Sequence, residues 1–180
     1  MPARGARLEV LDRGRLLTFS FEDLMTYHGP GSPGGVAHAF KVLERALPLL
    51  DPEGPCERRE IVVETAFGGP GARDAFEMVT RAVTEERFRI DPGLGRPERG
   101  RALERFVFRL HYRGRGTTLV VREGLVSDEF IDLARTEGRT VDQERRLDVL
   151  KLDMADRVMA RPADEVYDVS DELPRPESAA

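Results

Sequence analysis

LERFVFRLHYRGRGTTLVVR, residues 103–122, is the stretch that decides the fold class. Phe106, Phe108 and Leu110 fall on one side of an alternating pattern, with Val107 and His111 on the other. That period of two is the signature of a strand with one buried face. Residues 103–112 and 117–122 are two such runs. Gly114-Arg115-Gly116 between them supplies the backbone freedom of a turn, so the segment reads as an antiparallel hairpin.

Upstream, residues 7–11 and 16–19 suit a second hairpin around Arg13-Gly14. Ser20 is placed to cap a short helix, with Asp23 as its reciprocal partner, ending near His28-Gly29. Val36, Phe40, Val42, Leu43, Leu47 and Leu50 recur at helical spacing and predict a longer helix. It stops at Leu50, before the turn residues Asp51-Pro52-Glu53-Gly54-Pro55. Residues 60–67 (EIVVETAF) have the β-branched composition of a buried strand. A helix carrying Ala72, Ala75, Phe76, Val79 and Val83 on one face follows, then a short strand at 88–91. Residues 92–101 form a polar loop expected to be mobile.

Downstream, Ser127 caps a helix running through Arg135. Thr140 and Gln143 form a capping box for a last helix, whose apolar positions include Leu147, Leu150, Met154 and Val158 and which Pro162 ends. The acidic, proline-bearing residues 171–180 are expected to be disordered. Helices interspersed with strands around a central hairpin predict one α+β domain over residues 1–170, with helices packed on one face of a largely antiparallel sheet. There is no internal repeat and no linker.

The chain has 180 residues, 40% of them hydrophobic and 34% charged, with a net charge of -5. An acidic balance argues against a dedicated nucleic-acid binder, which needs a basic face. Cys56 is the sole cysteine, so no intrachain disulfide and no thiolate cluster can form. A reducing, cytoplasmic setting follows as an expectation. Residues 1–14 carry arginines but no apolar core of a signal peptide. No apolar run approaches the roughly 18–20 residues that span a bilayer, so no membrane association is expected.

Two glycine-rich stretches are the candidates for function: His28-Gly29-Pro30-Gly31-Ser32-Pro33-Gly34-Gly35 and Gly68-Gly69-Pro70-Gly71. The first fits G-x-G-x-x-G formally. The dinucleotide fingerprint, however, must follow a strand, whereas residues 23–27 read as helix. No Gly-Lys-Ser/Thr of a phosphate-binding loop is present. What remains is a broader anion site. Each stretch opens a helix, whose free N–H groups and dipole favour negative charge. Gly31, Ser32, Gly34, Gly35, Gly69 and Gly71 are the candidate ligand-binding residues, for a small-molecule or anionic ligand. The competing reading is that these glycines serve tight turning alone.

His28 and Asp74 are the candidate catalytic pair. An imidazole can move a proton near neutral pH or ligate a metal, and an acid at the start of the next helix can orient it. His28 at a helix C-terminus and Asp74 in a first turn are equally what the helix dipole favours. His38 and His111 carry weaker claims. Glu64 stands in a β-branched run and needs either a partner or a solvent-facing sheet edge.

Taken together these segments resemble the core domain of the formylmethanofuran dehydrogenase E-subunit-like family. Residues 28–34 align without gaps to a signature close to H-G-H-x-C-P-G. Residues 71–75 align to C-x-x-D-A, and residues 162–169 resemble the end of the family core. The resemblance implies a homodimer and a polar site around the first signature. The departures are specific: Pro30 replaces the second histidine, Ser32 the first cysteine and Gly71 the later one. The soft donors a transition metal prefers are therefore missing. His28 and Asp74 remain as polar residues, with His28 the one candidate metal ligand. An apolar helix face over residues 147–159 is available for pairing between chains, or for burial in the chain's own core.

Three functions follow: a metal-assisted enzyme using His28 and Asp74, a binder of small anions at the two loops, or a non-catalytic dimerisation module.

Overall fold

A computed structural model of the chain describes residues 5–170. The acidic segment 171–180, expected to be disordered, lies outside the described residues. The chain opens with a hairpin of β1 (Leu8–Asp12) and β2 (Arg15–Phe19). Arg13 and Gly14 both take positive φ, the conformation that lets a two-residue turn follow the twist of the strands. Their N–H groups donate to the Glu57 carboxylate at 2.7 and 3.2 Å, which fixes the turn. Helix α1 (Phe21–His28) starts at the expected capping box of Ser20 and Asp23 and ends at Gly29. Helix α2 (Pro33–Leu50) follows.

The two-residue β3 (Cys56–Glu57) pairs parallel with β1. Its Cys56 is buried, and burial pushes the thiol up to about 11. Strand β4 (Val62–Thr65), helix α3 (Pro70–Thr80) and strand β5 (Phe88–Ile90) form a crossover, and β5 lies parallel to β4. Arg81 takes a left-handed conformation that ends α3, so Val83 lies beyond the helix whose face it was expected to extend.

The decisive hairpin is β6 (Val107–Tyr112) and β7 (Arg115–Val121). Its turn is Arg113-Gly114, both at positive φ, rather than Gly114-Arg115-Gly116: Tyr112 pairs with Arg115 and His111 with Gly116. Helices α4 (Asp128–Arg135) and α5 (Val141–Met159) begin at the expected Ser127 cap and Thr140/Gln143 capping box. Strand β8 (Tyr167–Val169) closes a five-stranded sheet in the order β5-β4-β6-β7-β8. A separate three-stranded sheet has the order β2-β1-β3. The fold is α+β, with both sheets mixed because β1/β3 and β4/β5 run parallel.

Phe106, Phe108, Leu110, Leu119 and Val121 join the helices in the main core. On the opposite sheet face Ala66, Leu94 and Val107 make a small cluster. Leu94 belongs to the loop expected to be mobile. That loop is anchored: Leu94 is buried, and Arg96 N–H donates to the Glu104 carbonyl at 2.8 Å. Glu64 faces neither the core nor a sheet edge. Its strand sits between β5 and β6, and its carboxylate lies 3.8 Å from both Arg89 and Arg109. His111 is exposed on the hairpin. The α5 positions Leu147, Leu150, Met154 and Val158 are buried within the chain, and α5 packs along α2. That side of the helix is buried in the chain's own core, while Val149 and Leu152 of the same helix are exposed. Among the described residues no helix is long and apolar enough to cross a membrane.

Helix α2 is the hub. It is buried on almost every side, as expected of a helix apolar all round. It carries the buried His38, whose Nδ1 is hydrogen-bonded to the Tyr167 hydroxyl of β8 at 2.7 Å. Burial pushes this imidazole down from an ordinary value of 6.5 to about 3. The unfolded chain takes up a proton as pH falls through the ordinary value, while the folded chain stays neutral until the lowered one is reached. Stability therefore falls on acidification across that window, by up to about 1.4 kcal/mol per pH unit. His38→Asn keeps a polar atom near the Tyr167 hydroxyl and does not titrate. Chemical denaturation from about pH 6 to pH 4 should show a shallower loss of stability in this variant than in the wild type; equal slopes would refute a neutral buried His38.

Candidate functional site

The two glycine-rich stretches meet. Gly34 and Gly35 in the first turn of α2 are flanked on opposite sides. A Cβ on Gly34 would overlap the Met154 side chain of α5, and one on Gly35 would stand 3.0 Å from the Ala72 nitrogen of α3. On the α3 side, a Cβ on Gly71 would overlap the Ser32 carbonyl oxygen and come within 3.1 Å of the Val36 nitrogen. The two helices thus touch backbone to backbone at their N-terminal turns, an approach open only to glycine. Each helix has proline at its start, a residue that gives up an N–H that would be unpaired there anyway.

Neither of these N-termini is capped by a side chain, and neither has an acidic residue in its first turn, since α3 begins at Pro70 and Asp74, expected in that turn, falls beyond it. Helices α1, α4 and α5 each have both. The first intrahelical bonds are Val36 N–H to the Ser32 carbonyl and Arg73 N–H to the Gly69 carbonyl. The N–H groups of Gly34, Gly35, Gly71 and Ala72 precede those bonds, where a helix leaves its donors unpaired. Ser32, at the N-cap of α2, does not spend its hydroxyl on capping.

These turns open onto a cavity of about 440 Å³, a volume suited to a small ligand. Ser32, Gly34, Gly35, Gly69 and Gly71 line it, and Gly31 does not. Gly31 instead offers its carbonyl to Lys151 Nζ at 3.1 Å, which steers that cation toward the cavity it lines. Four arginines complete a cationic ring: Arg101, Arg105, Arg135 and Arg139. Among the described residues no carboxylate lines the cavity, although acidic residues outnumber basic ones in the chain.

The acids that hold these cations stand outside the wall. Arg101 pairs with Asp132 at 3.0 Å and Arg135 with Glu104 at 3.2 Å. Arg139 pairs with Glu144 at 2.8 Å and also donates to the Leu133 and Thr136 carbonyls at the end of α4. Arg105 is exposed and makes no ion pair with any described residue.

No family model matches the chain, and no curated protein is similar to it.

His28 and Asp74 are brought together. His28 Nδ1 lies 2.8 Å from Asp74 Oδ2, joining the end of α1 to α3. The pair stands behind the loops rather than in the cavity wall. His28 Nε2 is buried and has no hydrogen-bond partner among the described residues. A general base must reach the proton it removes, and neither His28 nor Asp74 is among the residues lining the cavity. The donor set does not suit a metal either: among the described residues no three His, Cys, Asp or Glu side chains group as ligands.

Sequence reasoning identified the loops and missed the cations. Arg101/Arg105 and Arg135/Arg139 are each spaced by four, but that spacing carries little signal in a chain with 28 lysines and arginines.

The glycine contacts order the cost of substitution. Gly71→Ala forces backbone apart and should cost about 1–3 kcal/mol, a fall in Tm of roughly 2–10 °C. Gly34→Ala meets only the flexible end of Met154 and should cost less. Gly31→Ala, with nothing within 4 Å of the new methyl, should change Tm little. Differential scanning calorimetry checks the order; a Gly71→Ala protein as stable as Gly31→Ala would refute the close helix approach.

Proposed function

We propose that this protein binds a small organic anion in the cavity between the two glycine-led helix N-termini. The observation that carries this reading is the sign of the wall. Two uncapped helix starts and five cationic side chains surround a volume that no carboxylate of the described residues lines. Partial positive charge at each helix start adds to the full charges of the ring, and the apolar floor weakens solvent screening. Arg105, without an acid partner, is the free donor.

His28 and Asp74 take a positioning part. Their bond sets where the chain leaves α1 and where α3 begins, and so holds the two loops in register. The resemblance to the formylmethanofuran dehydrogenase E-subunit-like family enters as a proposal on the same ground. Ser32 and Gly71, which stand where that family carries cysteines, press against each other. With oxygen and backbone donors at those positions, anion binding suits the site better than metal ligation.

Thermal shift tests the reading. Phenyl phosphate at roughly 100 times its Kd should add about 2.7 kcal/mol, raising Tm by roughly 5–10 °C, with the shift shrinking at high salt. Arg105→Glu should fold normally, since the side chain is exposed and unpaired, and should lose about tenfold or more in affinity. No shift with phosphate esters, sulfate or organic carboxylates would overturn it.

A further inference from the structure

The wall of the cavity is divided by chemistry in a way that constrains the body of the ligand as well as its charge. Its floor is formed by Phe67, Phe106, Phe130, Ile131, Leu147 and Met154. Five of these are buried in the main core, and Phe67 packs on Phe106 with ring centroids 4.4 Å apart. The cations stand nearer the solvent: the side chains of Arg101 and Arg135 are 54% and 41% exposed.

Between floor and ring there is almost nothing neutral and polar. Among the described residues Ser32 is the one lining side chain with a hydroxyl, and no Asn, Gln, Asp, Glu, Thr, Tyr or His joins it. Arginine and lysine donate and cannot accept. A nucleobase or sugar carries donors of its own, and this wall gives them one hydroxyl and the main chain. Burying those donors without partners would oppose binding. A hydrocarbon body meets no such penalty and gains from every methylene it removes from water.

We infer that the cavity is built for an amphiphilic acid, a hydrocarbon body ending in one carboxylate or phosphate head, and not for a nucleotide, a sugar phosphate or an inorganic anion. This rests on the anion reading above and specifies its ligand. The head takes the cations and the free amides of the glycine turns. The body lies on the aromatic and aliphatic floor.

Isothermal titration of the full chain with inorganic phosphate, butyl, hexyl and octyl phosphate, octanoate, adenosine monophosphate and 1-octanol tests it. Affinity should rise along the alkyl series by up to about fourfold per methylene until the floor is covered, with a negative heat-capacity change. Octyl phosphate or octanoate should bind about tenfold or more tightly than inorganic phosphate, adenosine monophosphate or 1-octanol; whichever of the two acids is tighter identifies the head. Arg105→Ala should weaken all anionic probes by a similar factor. Ile131→Ala should weaken the long ones alone; if that variant does not fold, the chain-length series in the wild type decides. A flat series, or adenosine monophosphate binding as well as octyl phosphate, overturns this inference and leaves the anion reading standing. Equal binding of 1-octanol and octyl phosphate, or no binding by any anion, overturns both.

Discussion

Everything in this molecule depends on how closely α2 and α3 approach at their first turns. Helix α2 is buried nearly all round, so each neighbour must come to it, and two arrive at its N-terminus. Met154 and Lys151 of α5 lie beside Gly34, and Gly71 and Ala72 of α3 lie beside Gly35. Side chains there would separate the helices and push α3 off the core. With glycines in place, both helix starts reach the same point with their amides unpaired. The packing solution for the core thereby creates an electropositive hollow. The same glycines set the helix approach and line the hollow, so a substitution at Gly35 or Gly71 alters both.

The charge of the hollow is opposite to that of the chain as a whole. This is achieved by placing the acids one step back. Asp132, Glu104 and Glu144 each hold an arginine by its guanidinium without entering the wall. A restrained arginine loses less conformational freedom when a ligand arrives than a free one does. Each such acid also lowers the net field it helps to aim. Arg105 is the exception, exposed and without an ion pair among the described residues. The ring thus combines three arginines held by acids with one that no described acid holds.

Much of the fold is legible in the sequence because it is set locally. Ser20, Ser127 and Thr140 each mark a helix start within four residues of the bond they form. The alternation of Phe106, Phe108 and Leu110 states which strand face is buried. The turn of that hairpin is less legible, because Gly114-Arg115-Gly116 offers two glycines and only the strand pairing decides which is used. The parallel pairing of β4 with β5 is set by the whole of α3 between them and leaves no local trace. The same limit governs the site. The glycine loops announce themselves, whereas the cations come from three separate segments and acquire meaning only when α4 and α5 fold over the loops. The apolar face of α5 is visible in the sequence, but its partner, α2, can be named only from the packing.

The bond between His38 and Tyr167 joins residues 129 positions apart. Tyr167 is fully buried and belongs to the last strand, at the rim of the larger sheet. Helix α2 therefore emerges from the ribosome long before the residue that completes its surroundings. Until Tyr167 has been made, the one buried histidine of α2 lacks its hydrogen-bond partner. Closure around α2 is therefore a late event along the chain, and apolar surface left open before it is the kind that promotes aggregation.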